Sequence, residues 1–369
     1  MARGIAVLGM LAGSGACSML ASGAAHAAAP IAYVTSERAG VGVIDLDKMT
    51  LEKTFSIGGS GPRGLSLNED GTRLIVAGKN TGELVAIDTR TGKVVERVKI
   101  GRNPEYVRVR DGYAYVTYEP GDPGESGERS ERSERGERGE PPGELAAKPG
   151  GNDDHADKPP AEIAIIDMKT WRVIHSTKSG HETEGVEFSR DGKQMLVTNE
   201  GDDTVSVYDA RSGAPVTTVK LSTGGRPRGI KASPDGKEYV VTLESLSKFV
   251  VLDANDFHVM KTVATKLGPY GVAYGPAGNR LFVAAARDRT LQVFDAHTYE
   301  HVADVSIGQR CWHFTFTPDG TKLLLACGRS DAVYVLDAKT YAPVAQIGNL
   351  PLAWGIVTYP PSDGSIESR

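Results

Sequence analysis

The sequence predicts an all-β protein, a seven-bladed β-propeller whose blades are four-stranded antiparallel sheets. Three observations lead to this prediction: a repeat that recurs seven times, one pattern of strands and turns within each repeat, and complementary partial repeats at the two ends of the chain. The composition agrees with a globular fold, since 40% of the residues are hydrophobic and 24% are charged.

The repeat is marked by an aliphatic or aromatic residue followed by aspartate. The seven aspartates are Asp45, Asp88, Asp167, Asp209, Asp253, Asp295 and Asp337, at spacings of 43, 79, 42, 44, 42 and 42 residues. A period of about 40–45 residues is typical of propeller blades, and the long interval equals one period plus an insertion of about 37 residues. A β-sandwich, the alternative all-β fold, does not explain a sevenfold period.

Each repeat has the same internal order of strands and turns, which residues 224–265 show most clearly. Four short strands are predicted at 230–232, 238–242, 249–252 and 257–264. The first turn contains Pro234 and Gly236, which suit the fixed and the positive φ angles of tight turns. A single blade cannot bury both faces of its sheet, whereas blades that stack in a ring can.

The ends of the chain predict that the ring closes on itself. The first repeat lacks its opening strand and begins with residues 31–35, while residues 353–358 supply a spare strand. We therefore expect one blade to be completed by both ends. The propeller would span residues 30–360, followed by a tail at 361–369.

Residues 1–27 resemble a signal peptide. Arg3 provides the positive charge, residues 5–20 are weakly apolar, and residues 25–27 (AHA) form a small-x-small cleavage site. A simple Ala/Gly-rich tail is the alternative. The prediction is export to the periplasm, where disulfides persist, and no apolar run in the mature chain is long enough to span a membrane.

The insertion at residues 121–160 predicts a disordered acidic loop within one blade. It has no aromatic residue, and its only large aliphatic residue is Leu145, so it buries too little apolar surface to fold. Its 6 Lys/Arg and 11 Asp/Glu give a charge of −5, which equals the net charge of the whole chain. The remaining ring is neutral overall, which argues against a partner nucleic acid.

Aligned repeats predict a ring of charged and aromatic residues at one end of the channel, where propellers usually bind ligands. The residue before the opening glycine position of each inner strand is Arg63, Glu105, Glu184, Arg228, Tyr270, Trp312 or Trp354. The ends of the second strands add Glu37, Glu200 and Glu244. These residues predict a funnel for a small polar ligand. The alternative is that they form salt bridges between blades while the aromatic rings fill the channel.

Two further residue types suggest chemistry in this region. His313 stands where most repeats have glycine, so it is a candidate haem or metal ligand or a general base, against a hydrogen-bonded channel residue. The glutamates at 105, 184, 200 and 244 are candidate ligands of a divalent metal ion in a lactonase-like hydrolase. Neither signal is strong enough to predict a cofactor, and the chain contains none of the common nucleotide-binding, metalloprotease or serine-hydrolase motifs.

The two cysteines outside the signal peptide, Cys311 and Cys327, predict a disulfide. Pairing Thr317 with Thr321 around the turn at 318–320 places the two cysteines opposite each other on neighbouring strands. Directly opposed residues have Cβ atoms about 4.5–5.5 Å apart, close to the separation that a disulfide requires.

Several motifs resemble a known repeat family. Residues 197–200 (VTNE) with 204–209 (TVSVYD) resemble the Tyr-Val-Thr-Asn (YVTN) propeller repeat. The segments 226–229, 308–312, 316–320 and 352–355 are similar to exported YVTN propellers associated with PQQ-dependent alcohol catabolism. The resemblance covers residues 31–360, and the insertion departs from it.

This resemblance implies a periplasmic, non-enzymatic protein that serves PQQ-dependent alcohol oxidation. Its partners would be a periplasmic dehydrogenase or transport components, together with a small polar ligand at the channel mouth. More distant resemblances to lactonase propellers and to the haem-binding propeller of a nitrite reductase leave two alternatives, a metal-dependent lactonase-like hydrolase and a haem-binding propeller.

Overall fold

The computed structural model describes Met1, residues 29–122 and residues 159–367. The predicted signal peptide, apart from Met1, and most of the predicted insertion lie outside these residues. The described chain forms seven four-stranded antiparallel sheets and confirms the predicted seven-bladed propeller. Within this part of the chain, no helix has the length and apolarity needed to cross a membrane.

The strands follow one another in chain order, so each blade is a simple meander. The first three are β1 (Ile31–Ser36), β2 (Gly40–Asp45) and β3 (Thr50–Phe55). The next two blades comprise β4 (Pro62–Leu67), β5 (Arg73–Gly78), β6 (Glu83–Asp88), β7 (Val94–Lys99), β8 (Val107–Arg110), β9 (Tyr113–Tyr118), β10 (Glu162–Asp167) and β11 (Arg172–Lys178).

Four blades complete the ring. They comprise β12 (Thr183–Phe188), β13 (Gln194–Asn199), β14 (Thr204–Asp209), β15 (Pro215–Lys220), β16 (Pro227–Ala232), β17 (Glu238–Leu243), β18 (Lys248–Asp253), β19 (Val259–Ala264), β20 (Pro269–Tyr274), β21 (Arg280–Ala285), β22 (Thr290–Asp295), β23 (His301–Ser306), β24 (Cys311–Phe316), β25 (Lys322–Cys327), β26 (Ala332–Asp337) and β27 (Pro343–Ile347). The last strand is β28 (Ala353–Tyr359). A single turn of 3-10 helix, Gly328–Ser330, follows β25.

The two ends of the chain share one blade, as the sequence predicts. Its sheet has the order β28-β1-β2-β3, and β1 pairs antiparallel with β28, so that Ile31 lies opposite Tyr359. This pairing supplies the fourth strand of the blade and closes the ring.

The repeated aspartates stabilise the turn between the third and fourth strands. The Asp88 carboxylate accepts the backbone N–H of Thr91 at 2.9 Å, and Asp337 accepts that of Thr340 at 2.7 Å. Backbone and side-chain hydrogen bonds from Thr91 lower the pKa of Asp88. A carboxylate that bonds the N–H groups just ahead of it favours a turn over a continued strand, which explains the regular spacing.

The glycine position near the start of each inner strand allows neighbouring blades to approach closely. The Gly64 N–H donates to the backbone carbonyl of Glu105 in the next blade at 2.8 Å. A Cβ at Gly64, Gly185, Gly229 or Gly271 would clash with a backbone carbonyl of the following blade. Two blades depart from this pattern, with Tyr106 and His313 at the equivalent positions.

The predicted cysteine pair is present. Cys311 and Cys327 face each other in the register of β24 and β25 and form a disulfide, and both are fully buried. The bond lies beside the end of the channel where the inner strands begin.

The chain does not stop at the last strand. After β28, residues 360–367 turn back into the channel and run antiparallel to β24. The Phe316 N–H donates to the Asp363 carbonyl at 3.1 Å, and the Ser365 N–H donates to the Phe314 carbonyl at 2.8 Å. Residues described only as a tail from the sequence therefore pack inside the ring.

Candidate active site

The inner strands β4, β8, β12, β16, β20, β24 and β28 all begin at the same end of the channel, which we call the upper mouth. The second strands of the blades end there. The structure consequently brings the predicted glutamates and arginines together in two clusters of ion pairs, one around Arg63 and one around Arg228.

The smaller cluster joins three successive blades. Arg63 Nε donates to Glu37 Oε1 at 2.8 Å, and Arg63 Nη1 contacts Glu105 Oε1. Glu37 follows β1 of the closing blade, Arg63 lies in β4, and Glu105 precedes β8. The salt bridges between blades that the sequence left as an alternative are therefore present here.

The larger cluster surrounds Arg228. Its Nε donates to Glu244 Oε2 at 2.7 Å, and its Nη1 contacts Glu184 Oε1 and Glu200 Oε2. Tyr270 donates its hydroxyl hydrogen to Glu184 Oε2 at 2.9 Å, and the Arg228 guanidinium lies over the Tyr270 ring, 5.1 Å from its centroid. Both oxygens of Glu184 are thus held by neighbouring side chains.

Three further arginines approach the same carboxylates from the rim. Arg226 contacts Glu200, and Glu244 Oε1 lies 3.2 Å from Arg287 Nε and 3.5 Å from Arg310 Nη1. The side chains of Arg226 and Arg287 are 42% and 32% exposed, so they present positive charge to solvent. Planar guanidinium groups in such a rim favour a ligand with a carboxylate, a phosphate or a developing oxyanion.

Sequence analysis missed these three arginines. Arg226 and Arg310 each lie two residues before a mouth residue, Arg228 and Trp312, and both have positive φ angles, 52° and 50°. The predicted site comprises residues at the glycine position, residues directly before it and residues at the ends of the second strands, so it does not include positions two residues before a mouth residue. His181 also lies at the upper mouth, where its Nδ1 is 2.8 Å from Asp202 Oδ1.

Two neighbouring glutamates have opposite pKa shifts. Burial and the nearby charge of Glu105 raise the pKa of Glu184 to about 7, although Arg228 acts against them. Burial also raises the pKa of Glu244, but the charges of Arg228, Arg287 and Arg310 outweigh it and hold this pKa at about 2. Glu184 can therefore exchange a proton near neutral pH while Glu244 stays ionised, a division typical of acid–base sites.

Aromatic rings close the channel below the charged clusters. The His313 ring lies 4.3 Å from that of Trp354, 5.5 Å from that of Tyr270 and 5.9 Å from that of Tyr106. His313 is 2% exposed, and burial together with the charge of Lys231 lowers its pKa to about 3, so the imidazole is neutral. Trp312 is half-buried and stands at the edge of this cluster, against Gly328.

These surroundings do not fit the metal or haem sites considered from the sequence. The candidate carboxylates at 105, 184, 200 and 244 each contact an arginine, and a divalent cation would have to compete with these guanidinium groups. His313 is buried among three aromatic rings, and within the part of the chain that the structure describes no second histidine or cysteine contacts it that could act as a further ligand. Among the described residues, three potential metal ligands converge only at Asp253, Asp256 and His258, on the turn between β18 and β19.

Part of the chain is similar to lactonases. The family model for lactonases with a seven-bladed β-propeller matches residues 173–341, slightly less than half of the chain. The periplasmic gluconolactonase PpgL of Pseudomonas aeruginosa has 16% sequence identity and a TM-score of 0.69, and the match covers 89% of this chain and 99% of that chain. No curated protein matches the sequence.

Two other solved structures have the same fold. A candidate 6-phosphogluconolactonase from Bacteroides uniformis is 15% identical with a TM-score of 0.67, and the match covers 89% of this chain and 99% of that chain. A protein from Lactobacillus plantarum is 18% identical with a TM-score of 0.70 over the same shares of the two chains. At these identities the similarity establishes the fold alone.

The comparisons overturn three expectations drawn from the sequence. The assignment to YVTN propellers of PQQ-dependent alcohol catabolism is wrong, because the family model that matches is that of seven-bladed lactonase propellers and three of the structures with the same fold carry gluconolactonase names. The expected non-enzymatic accessory role and the expectation that the protein is not an enzyme are wrong for the same reason. The motifs behind that resemblance lie in strands and turns that many propellers share, so they indicate the fold and not the function. The findings favour the lactonase-like alternative.

Proposed function

We propose that this protein is a lactonase-like hydrolase with its active site at the upper mouth of the channel. The range that matches the lactonase model, residues 173–341, includes every charged residue of the larger cluster. The observation that carries the proposal is the pair of contacts on Glu184, a buried carboxylate held by Tyr270 and Arg228 at an arginine-rich mouth.

Glu184 would act as the general base. In its ionised form it takes a proton from a water molecule, whose oxygen attacks the lactone carbonyl and forms a tetrahedral intermediate. The intermediate collapses with cleavage of the bond between the acyl carbon and the ring oxygen, and protonated Glu184 returns the proton to that oxygen. The product is an open-chain hydroxy acid, and a pKa of about 7 suits both transfers.

The arginines would supply the electrostatic part of catalysis. Arg287 and Arg226 are the most exposed guanidinium groups of the cluster and can bind the developing oxyanion or an acidic group on the substrate. Arg228 is engaged by three carboxylates, so its role is to hold Glu184 in place. Glu244, ionised and buried, fixes Arg228, Arg287 and Arg310 in one arrangement.

The direct test is lactone hydrolysis by the purified protein. A panel of γ- and δ-lactones, neutral and acidic, is followed by the acid released in a pH-stat. We expect hydrolysis by the native protein and a loss of at least about 100-fold in kcat/KM for Glu184→Gln. Glu119→Gln is the matched control, because Glu119 pairs with Arg102 in another blade and should leave the rate unchanged. Equal rates in the native protein and Glu184→Gln would overturn the proposal.

We also propose that the protein works in an exported compartment. The predicted signal peptide and the buried disulfide support this, because structural disulfides persist mainly outside the cytosol. Fractionation of cells that produce the full-length chain tests it. The processed protein is expected in the periplasmic fraction, and recovery of the unprocessed chain in the cytosol would contradict it.

A further inference from the structure

Residues 360–367 lie inside the lower part of the channel. Residues 360–367 pair with β24 through the two backbone hydrogen bonds between Phe316 and Asp363 and between Ser365 and Phe314. The hydroxyl of Ser362 lies 2.7 Å from that of Thr358, and Ser362 and Ser365 are both buried. This segment is therefore built into the ring by backbone and side-chain contacts.

The tip of the segment enters a buried charged socket. Arg108, Glu187 and Lys231 occupy equivalent positions in three successive inner strands, two residues after the glycine position, and all three are buried. Lys231 Nζ lies 3.2 Å from Glu187 Oε2, and Arg108 Nη2 lies 3.5 Å from Glu187 Oε1. These three side chains alone carry a net positive charge.

Glu367 lies against this socket, where burial raises the pKa of its carboxyl group to about 7. Its backbone carbonyl accepts a hydrogen bond from Lys231 Nζ, and its Oε1 accepts the Leu67 N–H at 3.3 Å. A buried ammonium group is costly unless it is hydrogen-bonded, so the Glu367 carbonyl stabilises Lys231 and at the same time holds the segment in place.

Ser365 connects the segment to the site above it. Its Oγ accepts the Phe314 N–H at 2.9 Å and lies 3.2 Å from His313 Nδ1, while its carbonyl accepts the Tyr106 hydroxyl at 3.0 Å. His313 and Tyr106 are the two residues that replace glycine at the inner-strand position. Tyr270, which packs against His313, also binds Glu184.

We infer that residues 360–367 form a plug that seals the lower channel and sets the floor of the upper site, with Ser365 as a positioning residue for His313 and Tyr106. Substrate would then enter and leave through the upper mouth. The sealing follows from the packing alone. The positioning role rests on the proposed lactonase function, so the two parts are tested by different measurements.

Hydrogen exchange tests the sealing without any assay of activity. In the intact protein the amides of Phe314 and Phe316 are bonded to the segment. In a chain truncated after Tyr359 we expect peptides covering β24 to exchange at least about tenfold faster at two positions. Peptides covering β22, a strand of the preceding blade that lies away from the channel, serve as the control and should not change. Equal exchange of β24 in both chains would overturn the plug.

A point variant covers the case in which the truncated chain does not fold. Ser365→Ala removes the Oγ contacts and keeps the backbone bonds, so only the amide of Phe314 should lose protection and that of Phe316 should keep it. If both amides keep their protection against exchange in this variant, Ser365 does not hold β24, and its role as a positioning residue is overturned.

Kinetics test the positioning role. Ser365→Ala should lower kcat/KM for the lactone by about tenfold, because a displaced floor misplaces substrate against Glu184, and Ser365→Thr should restore most of it. If the native protein hydrolyses no lactone, the proposed function fails while the exchange result still decides the plug. If Ser365→Ala loses Phe314 protection but keeps full kcat/KM, the plug stands and the positioning role is refuted.

Discussion

Tyr270 donates its hydroxyl hydrogen to Glu184 Oε2 at 2.9 Å, although a complete blade separates the two residues around the ring. Arg228, from the blade between them, contacts the other oxygen of the same carboxylate. Glu184 is therefore fixed by residues of two further blades, and its geometry depends on the closed ring. A carboxylate held in this way is oriented before substrate arrives, which favours catalysis at the mouth.

The pH dependence of hydrolysis should follow Glu184. Because burial and Glu105 raise its pKa to about 7, and because the ionised form is the base, kcat/KM is expected to rise as pH increases through about 7 and then level off. Rates in a pH-stat between about pH 5 and 9 measure this. A profile that stays flat across this range would contradict the assignment of Glu184 as the base.

Removing the charge of Glu105 should shift this profile. Glu105 disfavours the ionised form of Glu184, so Glu105→Gln is expected to lower the apparent pKa of kcat/KM. Glu37→Gln is the matched control, because Glu37 binds the same Arg63 but belongs to the closing blade, away from Glu184. The midpoint of the pH profile of kcat/KM should move clearly to lower pH in Glu105→Gln and much less in Glu37→Gln. Equal shifts in the two variants would argue against a direct interaction between Glu105 and Glu184.

Glu244 should be important for stability. It is 2% exposed and contacts three arginines, so Glu244→Gln leaves buried positive charges unpaired and should cost about 3–5 kcal/mol of unfolding free energy. Denaturant unfolding measures this, with Glu119→Gln as a less buried control expected to cost less than about 1 kcal/mol.

The same residue predicts how stability depends on pH. The folded-state pKa of Glu244, about 2, lies below its unfolded value, so its contribution is complete above an unfolded pKa of about 4.3 and is lost as pH falls towards 2. The loss of stability over this acid range should be smaller in Glu244→Gln than in the native protein. An identical acid dependence in both proteins would contradict the shift.

The disulfide should stabilise the fold measurably. Cys311 and Cys327 are 16 residues apart in the sequence, and a loop of about this length corresponds to about 3 kcal/mol of stabilisation. Unfolding of the native protein should therefore shift to lower denaturant concentration when a reductant is added. The double variant Cys311→Ser/Cys327→Ser should resemble the reduced protein and be insensitive to reductant, and two free thiols in the oxidised native protein would refute the bond.

The sequence was sufficient for the parts of the fold that depend on local interactions. The repeated aspartates bond turn N–H groups two or three residues ahead, so their spacing follows directly from the structure of one blade. The cysteine pair follows from one hairpin register, which fixes every opposed pair once a single turn is known. Closure of the ring was predictable because each end of the chain holds an incomplete set of strands.

The site was only partly predictable, because its contacts join different blades. The alignment of the repeats placed Arg228 and Glu184 at the same mouth of the channel. A sequence does not show, however, which arginine contacts which carboxylate. Arg108, Glu187 and Lys231 share one register position, and extending the alignment two residues further would have found them. No sequence pattern predicted that residues 360–367 are buried. The segment lacks the alternating pattern of a strand, and Ser365 forms hydrogen bonds with residues 51 and 52 positions away.

A crystal structure of Glu184→Gln soaked with a hydrolysable lactone tests most directly whether the upper mouth is the active site. We predict that the lactone binds there, with its carbonyl oxygen within hydrogen-bonding distance of Arg287 or Arg226 and its carbonyl carbon facing residue 184. Binding at the lower end, beside Arg108 and Glu367, or an empty upper mouth at a concentration that saturates the native enzyme would contradict this.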